Sequence, residues 1–135
     1  MATTTLDLSK APATRNQDPI SQGGEIRDPV VLQLNGTAMV LTDVTWTLIV
    51  SEKRGAASAT LSKTVTTDWT TSGIRVVDAT AGEITIFIAS SDTTALLGRY
   101  YYEVKATFPS DHSLLPSAVR TLFNGSIVVN DDATS

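Results

Sequence analysis

A chain of 135 residues that lacks cysteine and carries a net charge of −4 can form one hydrophobic core without disulfides, and it holds no thiolate metal site. Its 14 acidic side chains outnumber its 10 Lys and Arg residues, which argues against a nucleic-acid binder because such proteins cluster basic side chains against phosphates. No secretion signal and no apolar run of membrane-spanning length is visible, so we expect no association with a membrane.

The first part of the chain, residues 1–27, is polar. Its main apolar and proline residues are Leu6, Leu8, Pro12, Pro19 and Ile20. Such a segment cannot bury enough apolar surface to offset the entropy cost of ordering by itself. We expect either a disordered tail or an extended arm that becomes ordered on a neighbouring subunit through these five residues. If the arm interpretation holds, removal of residues 1–25 should leave the melting of the fold unchanged.

From residue 28 onward, apolar and polar side chains alternate in short runs, as they do in half-buried strands. Asp28 to Leu34 predicts a first strand, and Asn35–Gly36 predicts a type I′ hairpin turn after it. Later runs place one set of large side chains on a common inner face. These predicted core residues are Trp46, Ile84, Ile86, Tyr100, Tyr102, Val104 and Phe123.

About seven or eight such strands, joined by short turns and without a long helix, predict an all-β protein. We expect an immunoglobulin-like antiparallel sandwich of two sheets over residues 28–131, preceded by the extended N-terminal arm and followed by a tail at 132–135. Between strands, residues 91–97 predict one turn of helix that is capped by Ser91 or Asp92 and ends at Gly98.

The stretch Gly98–Tyr102 is typical of the tyrosine corner that precedes strand F of an immunoglobulin domain. In that arrangement the Tyr100 hydroxyl bonds back to the backbone, here near Asp92. Tyr102 then takes the buried place that a cysteine holds in disulfide-bearing domains.

Side chains suited to catalysis are scarce. The sole histidine, His112, lies in a loop between prolines and should be solvated, and neither a serine-nucleophile motif nor a phosphate-binding glycine loop is present. Most carboxylates fall at turns, where Asp bonds to nearby backbone. We therefore expect no enzyme activity, no catalytic, cofactor-binding or metal-binding residues, and no cofactor. Trp69, in a polar loop, should either pack over the edge of the sandwich or form an exposed contact with a partner.

Several motifs succeed one another along the chain. They occupy residues 41–48, 61–64, 73–78, 81–84, 92–93, 96–104 and 123–129. Together they resemble the immunoglobulin-like domain of virion proteins of tailed bacteriophages, for example the N-terminal domain of phage baseplate upper proteins. The resemblance covers roughly residues 26–131.

This resemblance implies a structural, non-enzymatic protein of the virion that is assembled in the host cytoplasm. Its partners would be tail, fibre or capsid proteins, and it would be a homo-oligomer or be present in many copies. Because the domain makes up almost the whole chain, without a C-terminal receptor-binding part, the resemblance favours an adaptor that anchors fibres to a tail or baseplate, or a capsid decoration protein.

A second interpretation is a carbohydrate-binding module that contacts host-surface glycans. It would use exposed aromatic side chains such as Trp69 and Tyr101 as stacking platforms. The aromatic content of 6% argues against it, whereas glycan binding that is abolished by Trp69→Ala would favour it.

Overall fold

The computed structural model describes residues 4–53, 60–112 and 114–131. Two short helical turns lie among its strands, a 3₁₀ helix at Leu8–Lys10 and α1 at Ser90–Thr93. The strands of these ranges are β1 (Thr4–Asp7), β2 (Ala13–Thr14), β3 (Ile20–Ser21), β4 (Ile26–Leu34), β5 (Thr37–Ala38), β6 (Thr45–Ser51), β7 (Leu61–Lys63), β8 (Gly73–Asp78), β9 (Glu83–Ile88), β10 (Gly98–Thr107) and β11 (Val119–Asn130). The predicted tail at 132–135 lies outside the described residues.

The strands form two sheets that enclose one core. The first sheet has the order β1-β4-β9-β8, with β5 paired to the end of β4. The second has the order β7-β6-β10-β11, with β2 and β3 paired to β11. The predicted all-β class is confirmed. The named strands after residue 25 pair antiparallel with one another, but both sheets are mixed, because β1 runs parallel to β4 while β2 and β3 run parallel to β11.

Alternation along the long strands builds the core, because successive side chains of a strand point to opposite faces. All of the predicted core residues are at most 8% exposed, namely Trp46, Ile84, Ile86, Tyr100, Tyr102, Val104 and Phe123. The indole N–H of Trp46 has no acceptor among the described residues. The inner faces of both sheets therefore follow from the apolar pattern of the sequence.

The N-terminal segment differs from the expectation of a tail or an arm apart from the sandwich. Its side chains at Leu6 and Leu8 are only 7% and 2% exposed and belong to the core. β1 pairs with β4, the chain then crosses to the second sheet, and Ile20 lies opposite Val129 on β11. The predicted domain boundary at residue 28 is therefore wrong for the residues from Thr4 onward. The few apolar side chains of this segment are enough to hold it in place, because the two sheets supply the surfaces that bury them.

The predicted hairpin turn is present, whereas the predicted helix cap is not. Asn35 and Gly36 have φ values of 50° and 83°, which is the backbone of the predicted type I′ turn. The predicted cap of α1 is wrong, because its N-cap is Ala89, which makes no side-chain bond. Asp92 instead accepts a hydrogen bond from the Ser72 hydroxyl.

Replacement of Leu8 by Ala should lower the free energy of unfolding by about 2–5 kcal/mol, because it empties a fully enclosed site in the core. Leu97 is 56% exposed, so Leu97→Ala should change stability by no more than about 0.5 kcal/mol. Urea unfolding of both variants measures the difference. An equally small effect at Leu8 would mean that the N-terminal segment does not pack into the core.

Candidate functional site

A carboxylate lies inside the sandwich at the start of β4. Asp28 shares the inward phase of this strand with Ile26 and Val30 and is only 3% exposed. Burial of an unpaired carboxylate is costly, so this position requires a cation and hydrogen-bond donors. Arg15 supplies both, since its Nε donates to Oδ2 of Asp28 and its Nη2 donates to Oδ1 at 2.6 Å. The hydrogen bond to Asp28 raises the pKa of Arg15, which strengthens its cationic form.

Two further side chains complete this group. Gln17 donates from Nε2 to Oδ2 of Asp28 at 2.9 Å and to the Tyr102 hydroxyl at 3.2 Å. The Tyr102 hydroxyl donates to the backbone carbonyl of Arg15 at 2.5 Å. We call Arg15, Gln17, Asp28 and Tyr102 the seam cluster, because it connects β4 of the first sheet to β10 of the second through residues 15–17.

Glycine makes room for this cluster. A Cβ atom at Gly125 would clash with the carbonyl oxygen of Arg15 and would lie 3.1 Å from the Tyr102 ring. Without that atom, the backbone of residues 15–17 lies directly along β11, where Arg15 N donates to Asn124 O at 2.9 Å. The seam cluster and this ladder together hold residues 13–22 against the second sheet.

Trp69 lies on the outer face of the first sheet. Phe87 points outward from β9 yet is 0% exposed, because the loop at residues 66–72 covers it. The Trp69 and Phe87 rings meet edge to face with centroids 5.1 Å apart. The guanidinium carbons of Arg27 and Arg75 lie 4.2 and 4.6 Å from the centroid of the indole ring. The structure therefore shows the packing alternative for Trp69, and a partner contact at its remaining exposed part stays a prediction.

The two aromatic residues of the carbohydrate interpretation lie apart. Trp69 covers the first sheet, whereas Tyr101 belongs to β10 of the second sheet and alternates there with the inward-facing Tyr102. Because they occupy the outer faces of different sheets, they cannot form one stacking platform. The guanidinium groups over Trp69 also compete with a sugar for the face of its ring.

His112 is buried, so the prediction of a solvated side chain is wrong. Its Nδ1 accepts from the backbone N–H groups of Leu114 and Leu115 at 3.2 and 3.0 Å, so its Nε2 carries the proton and donates to the carbonyl of Val40 at 2.7 Å. The ring also packs edge to face on Phe108, with centroids 4.9 Å apart. His112 thereby fixes the loop after β10 against the segment that follows β5.

Four exposed apolar residues lie at or beside the end of the sandwich where β4, β8 and β10 finish and β11 begins. They are Val40, Val77, Leu114 and Val119, with 41, 55, 39 and 66% exposure respectively. We call these four residues the hairpin-end surface, because the β4–β5 hairpin lies at the same end. Its loops are joined, since Leu41 N donates to Ala79 O at 2.8 Å and His112 bonds to Val40.

The predicted partner-binding residues of the N-terminal segment are not brought together on one surface. Leu6 and Leu8 are in the core and cannot contact a partner in this conformation, and Ile20 is half-buried beside β11. Pro12 and Pro19 are exposed at the two ends of the stretch that follows β11. Leu6 and Leu8 are therefore unavailable to a partner while β1 is docked on β4, and a partner contact through Pro12, Pro19 or Ile20 stays a prediction.

Sequence reasoning missed the seam cluster, although one signal for it was present. Asp28 occupies the apolar phase of β4, which indicates a buried charge with a partner. The sequence contains no signal that this partner is Arg15. Phe87 likewise occupies the outward phase of β9, which indicates that something covers it, and the adjacent loop with Trp69 is the element that does so.

No protein-family model matches the chain, and no curated protein matches its sequence. The phage-domain resemblance therefore stays a prediction. Within the described ranges, no helix is long and apolar enough to cross a membrane. The same residues contain no group of three or more His, Asp or Glu side chains placed to hold a metal ion.

Replacement of Arg15 by Ala should lower the free energy of unfolding by about 3 kcal/mol, because the Asp28 carboxylate stays buried without its cation. Arg99 is exposed on β10, so Arg99→Ala should change stability by no more than about 0.5 kcal/mol. Urea unfolding at neutral pH measures both variants. Equal losses would show that Asp28 does not depend on Arg15.

Burial raises the pKa of Tyr102 from 10.0 to about 12. Because the folded-state pKa lies above the unfolded one, its contribution to stability is complete below pH 10 and is lost as the pH rises from 10 towards 12. Titration of the phenolate absorbance should show a phenol that ionises at about pH 12 and is absent from Tyr102→Phe. Loss of a phenol that ionises near pH 10 instead would contradict the buried position.

Proposed function

We propose that the chain is a structural virion protein of a tailed bacteriophage that binds other virion proteins. It acts as an adaptor that anchors fibres to the tail or baseplate, or as a capsid decoration protein, and it is present in many copies in the particle. The support consists of an arrangement of strands that fits the phage-domain resemblance and of an apolar surface suited to protein contacts.

The order of the strands fits an immunoglobulin-like sandwich. The order β4-β9-β8 corresponds to strands B-E-D of that fold, and β11-β10-β6-β7 corresponds to G-F-C-C′. Trp46 lies buried on β6, the strand in the position of C, as the tryptophan of immunoglobulin domains does. The parallel pairing of β2 and β3 with β11 is an addition at the edge of this arrangement.

The tyrosines of β10 also support the resemblance. The Tyr100 hydroxyl accepts a hydrogen bond from Leu97 N at 3.1 Å, which is the backward bond of a tyrosine corner. The predicted position of this bond near Asp92 is wrong, because the chain after α1 brings Leu97 closer to the ring. Tyr102 occupies the buried place two residues later.

The hairpin-end surface is the observation that carries the assembly role. Exposed apolar residues that lie close together mark sites of protein interaction more often than residues scattered singly, and the backbones of Val40 and Leu114 both bond to the His112 ring. The loops that carry them are already fixed by His112 and by the bond from Leu41 to Ala79. A pre-formed surface loses little entropy on binding, so even a small apolar contact can contribute to assembly.

Mass spectrometry and electron cryo-microscopy of the parent particles should find the chain in many copies. The double variant Val40→Asp, Leu114→Asp should reduce incorporation at least tenfold, because it places charges in the apolar contact, while its melting temperature stays near that of the wild type. Leu97→Asp is the matched control, since Leu97 is 56% exposed at the opposite end of the sandwich.

Absence of the chain from the particles would refute the virion role. Presence of the chain with unchanged incorporation of the double variant would refute the hairpin-end surface as the contact and leave the virion role standing. Equal losses for Leu97→Asp and the double variant would also count against the hairpin-end surface, because any added charge would then have the same effect.

A further inference from the structure

We propose that β1 and Leu8, residues 4–8, are exchanged between copies of this chain, so that the segment of one copy lies on β4 of the next. The partner is a second copy, and the acceptor is the edge of β4 from Val30 to Gln33 with the adjoining core. This inference deepens the multi-copy assembly proposed above and rests on that proposal for its biological setting.

The acceptor already fits the proposed occupant. In one chain, Thr4 to Asp7 pair in register with Val30 to Gln33, which places Leu6 beside Leu32. Both of these leucines, and Leu8 after them, are buried in the core. A second copy carries the same segment and can therefore make the same ladder and fill the same space. Exchange then preserves every contact of the docked segment and changes only the copy from which it comes.

The segment can leave without breaking other strand pairs. Among the described residues, β1 is the edge of the first sheet and pairs only with β4. The Asp7 carboxylate accepts from Ser9 N at 3.0 Å within its own segment and from Asn35 N at 3.2 Å on the turn after β4, and a second copy offers the same Asn35 N–H. The exchanged unit is therefore small and has a defined end, and the rest of both sheets stays paired while it moves.

The seam cluster marks where the movable part stops. Arg15 is held through Asp28, and its backbone N–H donates to Asn124 O at 2.9 Å, so residues 13–22 remain on the second sheet. Residues 9–12 join this fixed part to β1 and include the exposed Lys10 and Pro12. When extended they span about 13 Å at roughly 3.3 Å per residue, enough to direct residues 4–8 away from their own sandwich. Short connections of this kind are the hinges at which strand exchange occurs.

Single cysteines can test this exchange cleanly, because the chain has none of its own. Thr5 and Val31 are register partners on β1 and β4. Purified Thr5→Cys and Val31→Cys chains are mixed over a wide range of concentrations and oxidised, with one of them mass-labelled. A disulfide between the two different chains requires β1 of one copy to lie on β4 of the other. The matched control pairs Thr5→Cys with Thr47→Cys, because Thr47 has the same intermediate exposure as Val31 but lies on the second sheet.

We expect the Thr5–Val31 heterodimer to exceed the Thr5–Thr47 heterodimer by more than tenfold and to increase with concentration. A chain that carries both Thr5→Cys and Val31→Cys should form its disulfide internally when dilute. Heterodimer at the control level at every concentration would overturn the exchange, and failure of the double-cysteine chain to bridge would overturn the β1–β4 pairing itself. The assay contains no particles, so its outcome is independent of whether the chain is incorporated into virions.

Discussion

The burial of the Asp28 carboxylate is the constraint on which the arrangement of the N-terminal half depends. β4 turns this side chain inward, between apolar neighbours, where a negative charge is tolerated only with a cation and donors around it. Arg15 and Gln17 provide them from a segment that belongs to the other sheet. The buried charge on β4 is therefore paired by residues 15–17, which belong to a segment whose polar composition predicts that it would not fold by itself.

A paired buried charge is not in itself a source of stability, since a well-packed apolar pair of similar volume is often as stable or more so. The seam cluster instead has a positional effect. The guanidinium group binds the carboxylate through two donors in a fixed geometry, and this geometry specifies where residues 15–17 lie along β11. Gly125 leaves room for this close approach of the backbone, and Tyr102, on β10 of the same sheet, donates to the Arg15 carbonyl. These contacts therefore fix one register of residues 15–17 along β11, although the segment has few apolar residues.

The parts of the fold that could be predicted from sequence are those with a local cause. The inner faces of β9 and β10 follow from strict alternation, and the Asn35–Gly36 turn follows from the positive φ angles that these two residues accept. The docking of Leu6 and Leu8 has no such cause, because their partners lie more than twenty residues away on β4. His112 is a similar case: its neighbours in sequence are those of a solvated loop, and only the contact with Val40, 72 residues away, buries it.

The outer surfaces show the same division between local pattern and long-range contact. Phe87 is an apolar residue on the outward, otherwise polar face of β9. In the folded chain Trp69 packs on it, and Arg27 and Arg75 lie over the Trp69 ring. Trp69 is thereby part of the packing on the outer face of the first sheet. The exposed valines and Leu114 at the hairpin end have no comparable cover among the described residues, and the buried imidazole of His112 ties the segments of Val40 and Leu114 together. In the proposed assembly this apolar end would be the site for a different protein. The edge of β4, by contrast, would be filled only by the chain's own β1 sequence, because that sequence matches the edge in register.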